Sequence, residues 1–485
     1  MIKPIQLLPR ATSLIESLRD IGYSFESAVA DIIDNSITAE ANNINIYFDF
    51  ENNALKLAIL DDGYGMDESE LIEAMRPGTK NPLDERTKND LGRFGLGLKT
   101  ASFSQCRKLT VVSSKNKNTS AAVWDLDYVA ETEDWTLQLL NHDEFNEIYK
   151  FSELNDNGTL VIWEKTDRII DNTVNTITEE TIYEKMRVVE KHIALIFHRF
   201  LKGNNKINIF INGKAIEPFD PFHSAHIATQ ELQEEIINLN DEKIIIRPYI
   251  LPHYSKLSQK EYDYYDEDGG YLKNQGFYVY RNKRLLISGT WFRIIRQSEM
   301  FKLARIQIDL PNNLDSLWKI DVRKSYASPP SIIRRRLSKI IEKISGASSK
   351  VYTARGHRST TTNISFWERY AARGEIKYSI NKEHPIIQNF LNNLDRKAQD
   401  DFNEILDLVG SFLPKDALYA DLGNNNPKKV NTTDISNEFI EKLALKKISD
   451  EKDLMTAQEL ASLFQNTEPF NLYKKDWKIF VEKAL

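Results

Sequence analysis

A chain of 485 residues has room for two to four domains with real cores, and 41% hydrophobic with 28% charged residues fits an ordinary globular protein. A formal net charge of -7 excludes wholesale coating of nucleic acid while leaving a local basic patch open. The single cysteine, Cys106, excludes an internal disulfide framework and a cysteine-built zinc site; it reads as a small buried apolar residue in a reducing compartment.

The opening residues Met1 to Gln6 carry no charged-then-apolar signal pattern, and no apolar run nears the roughly 18–20 residues that span a bilayer. The expectation is a soluble cytoplasmic protein without a membrane partner. Ala11 to Asp20 patterns as a short amphipathic helix ended by Gly22, and Ser24 caps a second helix with Phe25, Val29, Ile32 and Ile33 on one face. Ile44 to Phe50 alternates as a strand, Glu51-Asn52-Asn53 turns, and Leu55 to Leu60 returns as its hairpin partner. Residues 67–76 pattern as a helix, Arg76 to Leu91 as a polar loop, and Leu98 to Phe103 as a helix again. Strands follow near Leu109–Ser113, Ala121–Leu126, Thr136–Leu140 and Thr159–Trp163. Helices first and then a meander of strands predict an α/β two-layer sandwich over residues 1–170.

A long helix over about 180–202 is expected to open a second, α+β domain over 171–346. Its predicted strands are Ile207–Ile211 with an Asn-Gly turn, Ile244–Leu251 and Gly276–Arg281, and Glu261 to Gly270 reads as an acidic surface loop. A helix starts near Pro329, residues 347–364 read as a linker, and 365–485 reads as a mainly helical C-terminal domain.

Six of the 19 glycines lie between positions 63 and 97, where the backbone must turn sharply or meet a ligand closely. Upstream, Asp31 and Asn35 stand at i and i+4, on one face of their helix. A carboxylate on a half-buried helix needs compensation, which a hydrated Mg²⁺ held by an amide oxygen would give, and the carboxylate would activate a water. Asp61 emerges from an apolar strand, placed to accept from an exocyclic amine such as that of adenine, with Gly63 and Gly65 letting a base lie on the backbone. Gly92 to Thr100 looks superficially like a P-loop, but Leu98 intrudes before Lys99-Thr100 and no strand precedes it directly. What remains is a glycine-rich turn opening a helix, whose N–H groups suit phosphate and to which Lys99 adds charge.

In this order and spacing the segments resemble the GHKL ATPase superfamily of gyrase B, MutL, the large heat-shock chaperones and the sensor histidine kinases, and are most similar to the prokaryotic MORC-like members. Ala30 to Ser36 resembles the first motif, Asp61 to Met66 the second, Gly92 to Ser102 the third and Gly158-Thr159 the fourth. The resemblance implies ATP and Mg²⁺ as ligands, Asn35 as metal ligand and Asp61 as adenine reader. It implies further nucleotide contacts at Gly63, Gly65, Met66, Gly92, Phe94, Gly95, Leu96, Gly97, Lys99, Thr100 and Thr159, and a closing lid over 67–97. The family's hydrolytic base is usually glutamate, whereas Asp31 stands there, which implies slow turnover.

Gly276 to Leu286 and Trp318 to Ser325 resemble the transducer (S5-like) domain of MutL-like and MORC-like members, in which a lysine senses the γ-phosphate. Lys324 is the first candidate, then Lys319 and Arg323. The resemblance implies an ATP-dependent homodimeric clamp working with an effector protein on DNA, in bacteria often within restriction or anti-phage modules. Arg334, Arg335, Arg336 and Lys339 belong to a basic excess between Pro329 and Ser359 that suits sequence-independent phosphate contact. A chaperone-like clamp on a protein client is the alternative. A sensor kinase ranks low, since no histidine precedes His142.

Overall fold

A computed structural model describes residues 9–51, 54–78, 97–169, 178–239, 242–266, 270–314, 317–319, 327–353, 364–372, 375–415, 417–418, 436–452, 454–473 and 475–485. The chain divides into two units, Met1–Lys350 and Val351–Leu485.

In the first unit, helices α1 (Ala11–Arg19) and α2 (Phe25–Thr38) precede the hairpin of β1 (Asn43–Glu51) and β2 (Ala54–Asp61). Then come α3 (Glu68–Met75), α4 (Gly97–Phe103), β3 (Cys106–Lys115), β4 (Asn118–Asp125), α5 (Leu126–Thr132), β5 (Gln138–Leu139) and β6 (Gly158–Thr166). The meander was legible in the sequence. Leu126–Thr132 is a helix that the pattern did not reveal, and the strand expected over Thr136–Leu140 shrinks to two residues. Asp125 caps α5 by accepting from the Asp127 N–H, which turns the chain out of β4.

Alternation along the strands decides what each face of this sheet carries. On β2, Leu55, Leu57 and Ile59 join a core with α1, α2 and α4, while Ala58 and Leu60 pack on the opposite face against Phe145 and its neighbours. Asp61 continues the odd series and so lies on the helical side. Asp67 starts α3 with a reciprocal capping box to Glu70, satisfying two N–H groups that the helix start leaves open.

The long helix α6 (Glu179–Ile196) follows, and then β7 (Asn208–Ile211) and β8 (Lys214–Ala215). Contrary to expectation, β7 does not open a second sheet. It pairs in parallel with β1, Asn43 opposite Asn208 through Ile46 opposite Ile211, so the first sheet runs β5-β4-β3-β6-β2-β1-β7-β8 among the described residues. The boundary expected at 170/171 therefore falls inside one sheet. A four-residue strand with an Asn-Gly turn reads alike whichever edge it joins, and only the tertiary partner decides.

The second sheet contains β9 (Gln230–Glu231), β10 (Glu235–Leu239), β11 (Glu242–Ile250), β12 (Gly276–Arg281), β13 (Arg284–Thr290) and β14 (Ala304–Leu310), in the order β10-β11-β14-β12-β13 with β9 on β11. Tyr249, Tyr278, Tyr280 and Leu285 share the core of the first sheet's helices, so the two sheets belong to one unit. The acidic segment read as a loop overlaps α7 (Gln259–Asp266), which buries Tyr262 against Tyr271 of the short helix α8 (Gly270–Lys273). A helix of net-acidic, tyrosine-rich sequence has weak intrinsic preference, and packing of its few rings overrides that. Helix α9 (Ser331–Thr353) buries Ile333, Leu337, Ile340, Ile341 and Ile344 on one face. It runs into the expected linker; 354–363 lie outside the described residues.

The second unit holds a hairpin, β15 (Trp367–Ala372) with β16 (Glu375–Ile380), beside helices α10 (Pro385–Leu391), α11 (Arg396–Ser411), α12 (Asn437–Glu451), α13 (Ala457–Asn466) and α14 (Trp477–Ala484). Its core gathers Ile440, Ala444, Ile448, Leu460, Phe464, Phe470, Trp477 and Val481. No helix among the described residues is long and apolar enough to cross a membrane.

Candidate nucleotide site

Strand register builds the floor of the site. Asp61 on β2 lies opposite Thr159 on β6, and Thr159 lies opposite Ser113 on β3, so three polar side chains stand in a row across adjacent strands. The Asp61 Oδ1 accepts from the Gly63 N–H (3.0 Å) and the Thr159 N–H (3.2 Å), and Oδ2 accepts from the Ser36 hydroxyl at 2.7 Å. Burial pushes the Asp61 carboxyl above its ordinary range, and these three donors oppose that shift. Ser113 Oγ accepts from the Met66 N–H at 2.8 Å and sits 2.9 Å from Thr159 Oγ1. The first, second and fourth motifs thus meet at one buried carboxylate. Asp62 plays a different part: it accepts from the N–H groups of Asn42 and Asn43 and from the Asn43 side chain, fastening the entry of β1.

Close backbone approach makes two glycines obligatory. At Gly65 (φ +68°) a Cβ would stand 1.8 Å from the Ser114 carbonyl oxygen, and at Gly158 (φ +144°) 2.2 Å from that of Asp61. Gly65→Ala must therefore separate the second motif from β3. A loss of about 3 kcal/mol of stability is expected from overpacking and the left-handed backbone together, read as a lowered thermal midpoint with ATP affinity lost in parallel.

The acidic helix differs from its sequence reading. Asp31 and Asp34 are buried and Asn35 is exposed. Compensation for the buried acids comes from the chain itself. Arg284, first residue of β13, is delivered by a tight turn in which Asn282 and Lys283 both take positive φ (47° and 68°), as a two-residue hairpin loop requires. Its Nε donates to both Asp34 oxygens at 2.9 and 3.0 Å, and its Nη2 lies 3.6 Å from Asp31 Oδ1. The Tyr23 hydroxyl donates to Asp31 Oδ2 at 2.8 Å. Burial and the Asp31 charge hold the Tyr23 hydroxyl well above its usual range, so it stays a donor. Burial, with Arg284 nearby, pushes His192 down to about 4, which keeps that ring neutral.

Other predicted positions fall as follows. Gly97 begins α4 beside Asp31; a Cβ there would lie 3.9 Å from Oδ2, so the third motif's helix starts against the first motif. Thr100 is buried in hydrogen-bond contact with Tyr23. Lys99 is buried and its Nζ donates to the Ala74 carbonyl at 2.8 Å, tying α4 to the end of α3. Gly92, Phe94, Gly95, Leu96, Arg323 and Lys324 lie outside the described residues, as does 79–96 of the expected lid; Lys319 is exposed. Among the described residues no group of three or more His, Cys, Asp or Glu side chains is set to hold a metal ion. The donor set that fits Mg²⁺ here is the exposed Asn35 amide together with phosphate oxygens and water. Tyr23, Ser36, Ser113 and Arg284 were missed by sequence reasoning; only Ser36, inside the first motif, carried a signal.

Residues 23–159 match the family described as histidine kinase-, DNA gyrase B-, and HSP90-like ATPase. Over 90 residues, 19% of this chain and 10% of the relative, the sequence is 34% identical to the ATPase morc-1 of Caenorhabditis elegans. Over 136 residues, 26% of this chain and 20% of the relative, it is 30% identical to the chaperone protein HtpG of Rickettsia canadensis (strain McKiel). The matched stretches span about a tenth and a fifth of these relatives' lengths. With the converging motifs, these likenesses lead to one conclusion: residues 23–159 of this chain are a domain of the GHKL ATPase superfamily, with MORC-like relatives.

Proposed function

We propose that the protein binds ATP with Mg²⁺ between α2 and the Asp61–Thr159–Ser113 row and hydrolyses it slowly. In the same reading it acts as an ATP-gated homodimeric clamp that works with an effector protein on DNA. The observation that carries the nucleotide reading is the convergence of Ser36, Gly63 and Thr159 on the buried Asp61 carboxylate, beside an exposed Asn35 and a buried Asp31. Asp61 takes the adenine amine, Gly63, Gly65, Met66 and Thr159 line the base, and the start of α4 at Gly97 faces the phosphates. Mg²⁺ on Asn35 supplies positive charge to the phosphates when bound, and Asp31 orients the attacking water. Lys324 is the proposed γ-phosphate sensor.

The DNA reading draws on α9, where Arg334, Arg335, Arg336, Lys339 and Lys343 are exposed around a single acid, Glu342. Such a stripe suits the phosphate backbone without base readout. A place in a bacterial anti-phage or restriction module follows from analogy with the family alone. The test is light scattering with and without a non-hydrolysable ATP analogue, and DNA binding across salt. A dimer only with nucleotide is expected, with affinity for DNA falling about 100-fold between 50 and 200 mM salt if four phosphates are contacted. A monomer with analogue bound and no DNA retention at low salt would defeat the clamp.

A client-protein clamp keeps one specific support. On α11 the apolar side chains Ile405, Leu408 and Val409, with Phe412 at its C-cap, are all at least half exposed. ATP-dependent suppression of the aggregation of a denatured test protein, without DNA retention, would favour that reading.

A further inference from the structure

We infer that Arg284 is a positioning residue for Asp31, fixing the carboxylate that orients water and making hydrolysis depend on how the β12–β13 hairpin seats against α2; this rests on the ATPase reading above. Aspartate is one methylene shorter than the glutamate usual at its position, so it has less reach and must be held where it stands. Both of its oxygens have a partner: Oδ2 accepts from the Tyr23 hydroxyl at 2.8 Å, and Oδ1 is ion-paired with the Arg284 guanidinium, whose Nη2 lies 3.6 Å away. The two holders differ in origin. Tyr23 lies two residues before the start of α2, whereas Arg284 comes from the second sheet, 250 positions after Asp34.

The guanidinium is itself fixed. Its Nε sits between the two Asp34 oxygens, its Nη1 donates to the Leu285 carbonyl at 2.8 Å, and its carbon lies 5.7 Å from the Phe197 ring centre. A planar fork locked at three places transmits displacement of its strand to whatever its remaining arm touches, and that arm faces Asp31. A shift of about 1 Å in a positioned catalytic group costs on the order of 100-fold in rate. Ion pairing to Asp34 alone would serve to bind the sheets together; the approach to Asp31 is what ties that joint to turnover.

The test uses the full chain. Arg284→Met strands two buried acids, and its folding is therefore at risk. The informative variants are Asp34→Asn/Arg284→Gln, which keeps an amide–amide pair and removes both charges, and Arg284→Lys, which restores charge without the fork. For the double variant, kcat for MgATP is expected to fall at least ten-fold, with KM and the affinity for a fluorescent ATP analogue within three-fold and the thermal midpoint nearly unchanged. Arg284→Lys is expected to recover part of kcat, and it decides alone if the double variant does not fold. A kcat within two-fold of wild type in a folded variant would reduce Arg284 to a structural latch and overturn the inference. Wild-type chain that binds MgATP without turning it over overturns it too, leaving the binding reading intact; failure of wild type to bind MgATP defeats that reading first.

Discussion

Asp61→Asn is expected to abolish ATP binding while leaving the fold in place. The carboxylate faces three donors, the Ser36 hydroxyl and the N–H groups of Gly63 and Thr159. An asparagine oxygen can still accept from the two backbone groups at Oδ1, and the Ser36 hydroxyl can rotate to accept from the new amide. The protein therefore tolerates the change. An incoming adenine amine would then meet an NH₂ group, donor against donor, in a site already desolvated. Losing a charge-assisted hydrogen bond and leaving an unpaired donor together cost about 3 kcal/mol or more, so a Kd rise of at least 100-fold is expected. Calorimetry with MgATP measures it, alongside thermal unfolding. Retention of wild-type affinity would place the base elsewhere.

Asp31→Ala is expected to separate binding from turnover. Arg284 keeps its contacts with Asp34, so the joint between α2 and β13 persists, and Tyr23 loses one acceptor. ATP affinity within about three-fold of wild type is expected, with kcat down about 100-fold or more, the usual contribution of a positioned general base. Phosphate release under saturating ATP reads the second quantity. Hydrolysis at the wild-type rate would transfer the role of base to another group.

How much of this was visible in the sequence depends on the distance between the parts. Asp61 announced itself because a carboxylate at the end of an apolar strand, followed by Gly63 and Gly65, is a local pattern. The alternation of Leu57, Ile59 and Asp61 even fixed the face on which it lies. Ser113 was silent. Only the pairing of β3 with β6 sets it against Thr159, and a serine inside a strand has no local mark of function. Arg284 was hidden more deeply, as one basic residue after a turn in Asn282-Lys283-Arg284. Nothing within its own hairpin shows that it crosses to Asp31 and Asp34. Magnesium is for that reason the compensation for Asp31 that the sequence suggests, whereas the fold supplies an arginine and a tyrosine. Lys99 stands beside a glycine-rich turn, which suggests phosphate, while the contact its ammonium group makes with the Ala74 carbonyl has no local mark in the sequence.

The parallel pairing of β1 with β7 carries a practical consequence for anyone dissecting the molecule. A fragment trimmed at residue 170 would strip Asn208–Ile211 from β1 and bare a row of unmatched backbone groups along a long, apolar strand. Such an exposed margin recruits neighbouring chains, so a truncated nucleotide-binding piece would self-associate for reasons unrelated to ATP. Excision beyond Ala215 keeps that margin covered, and any dimer then observed can be attributed to the nucleotide.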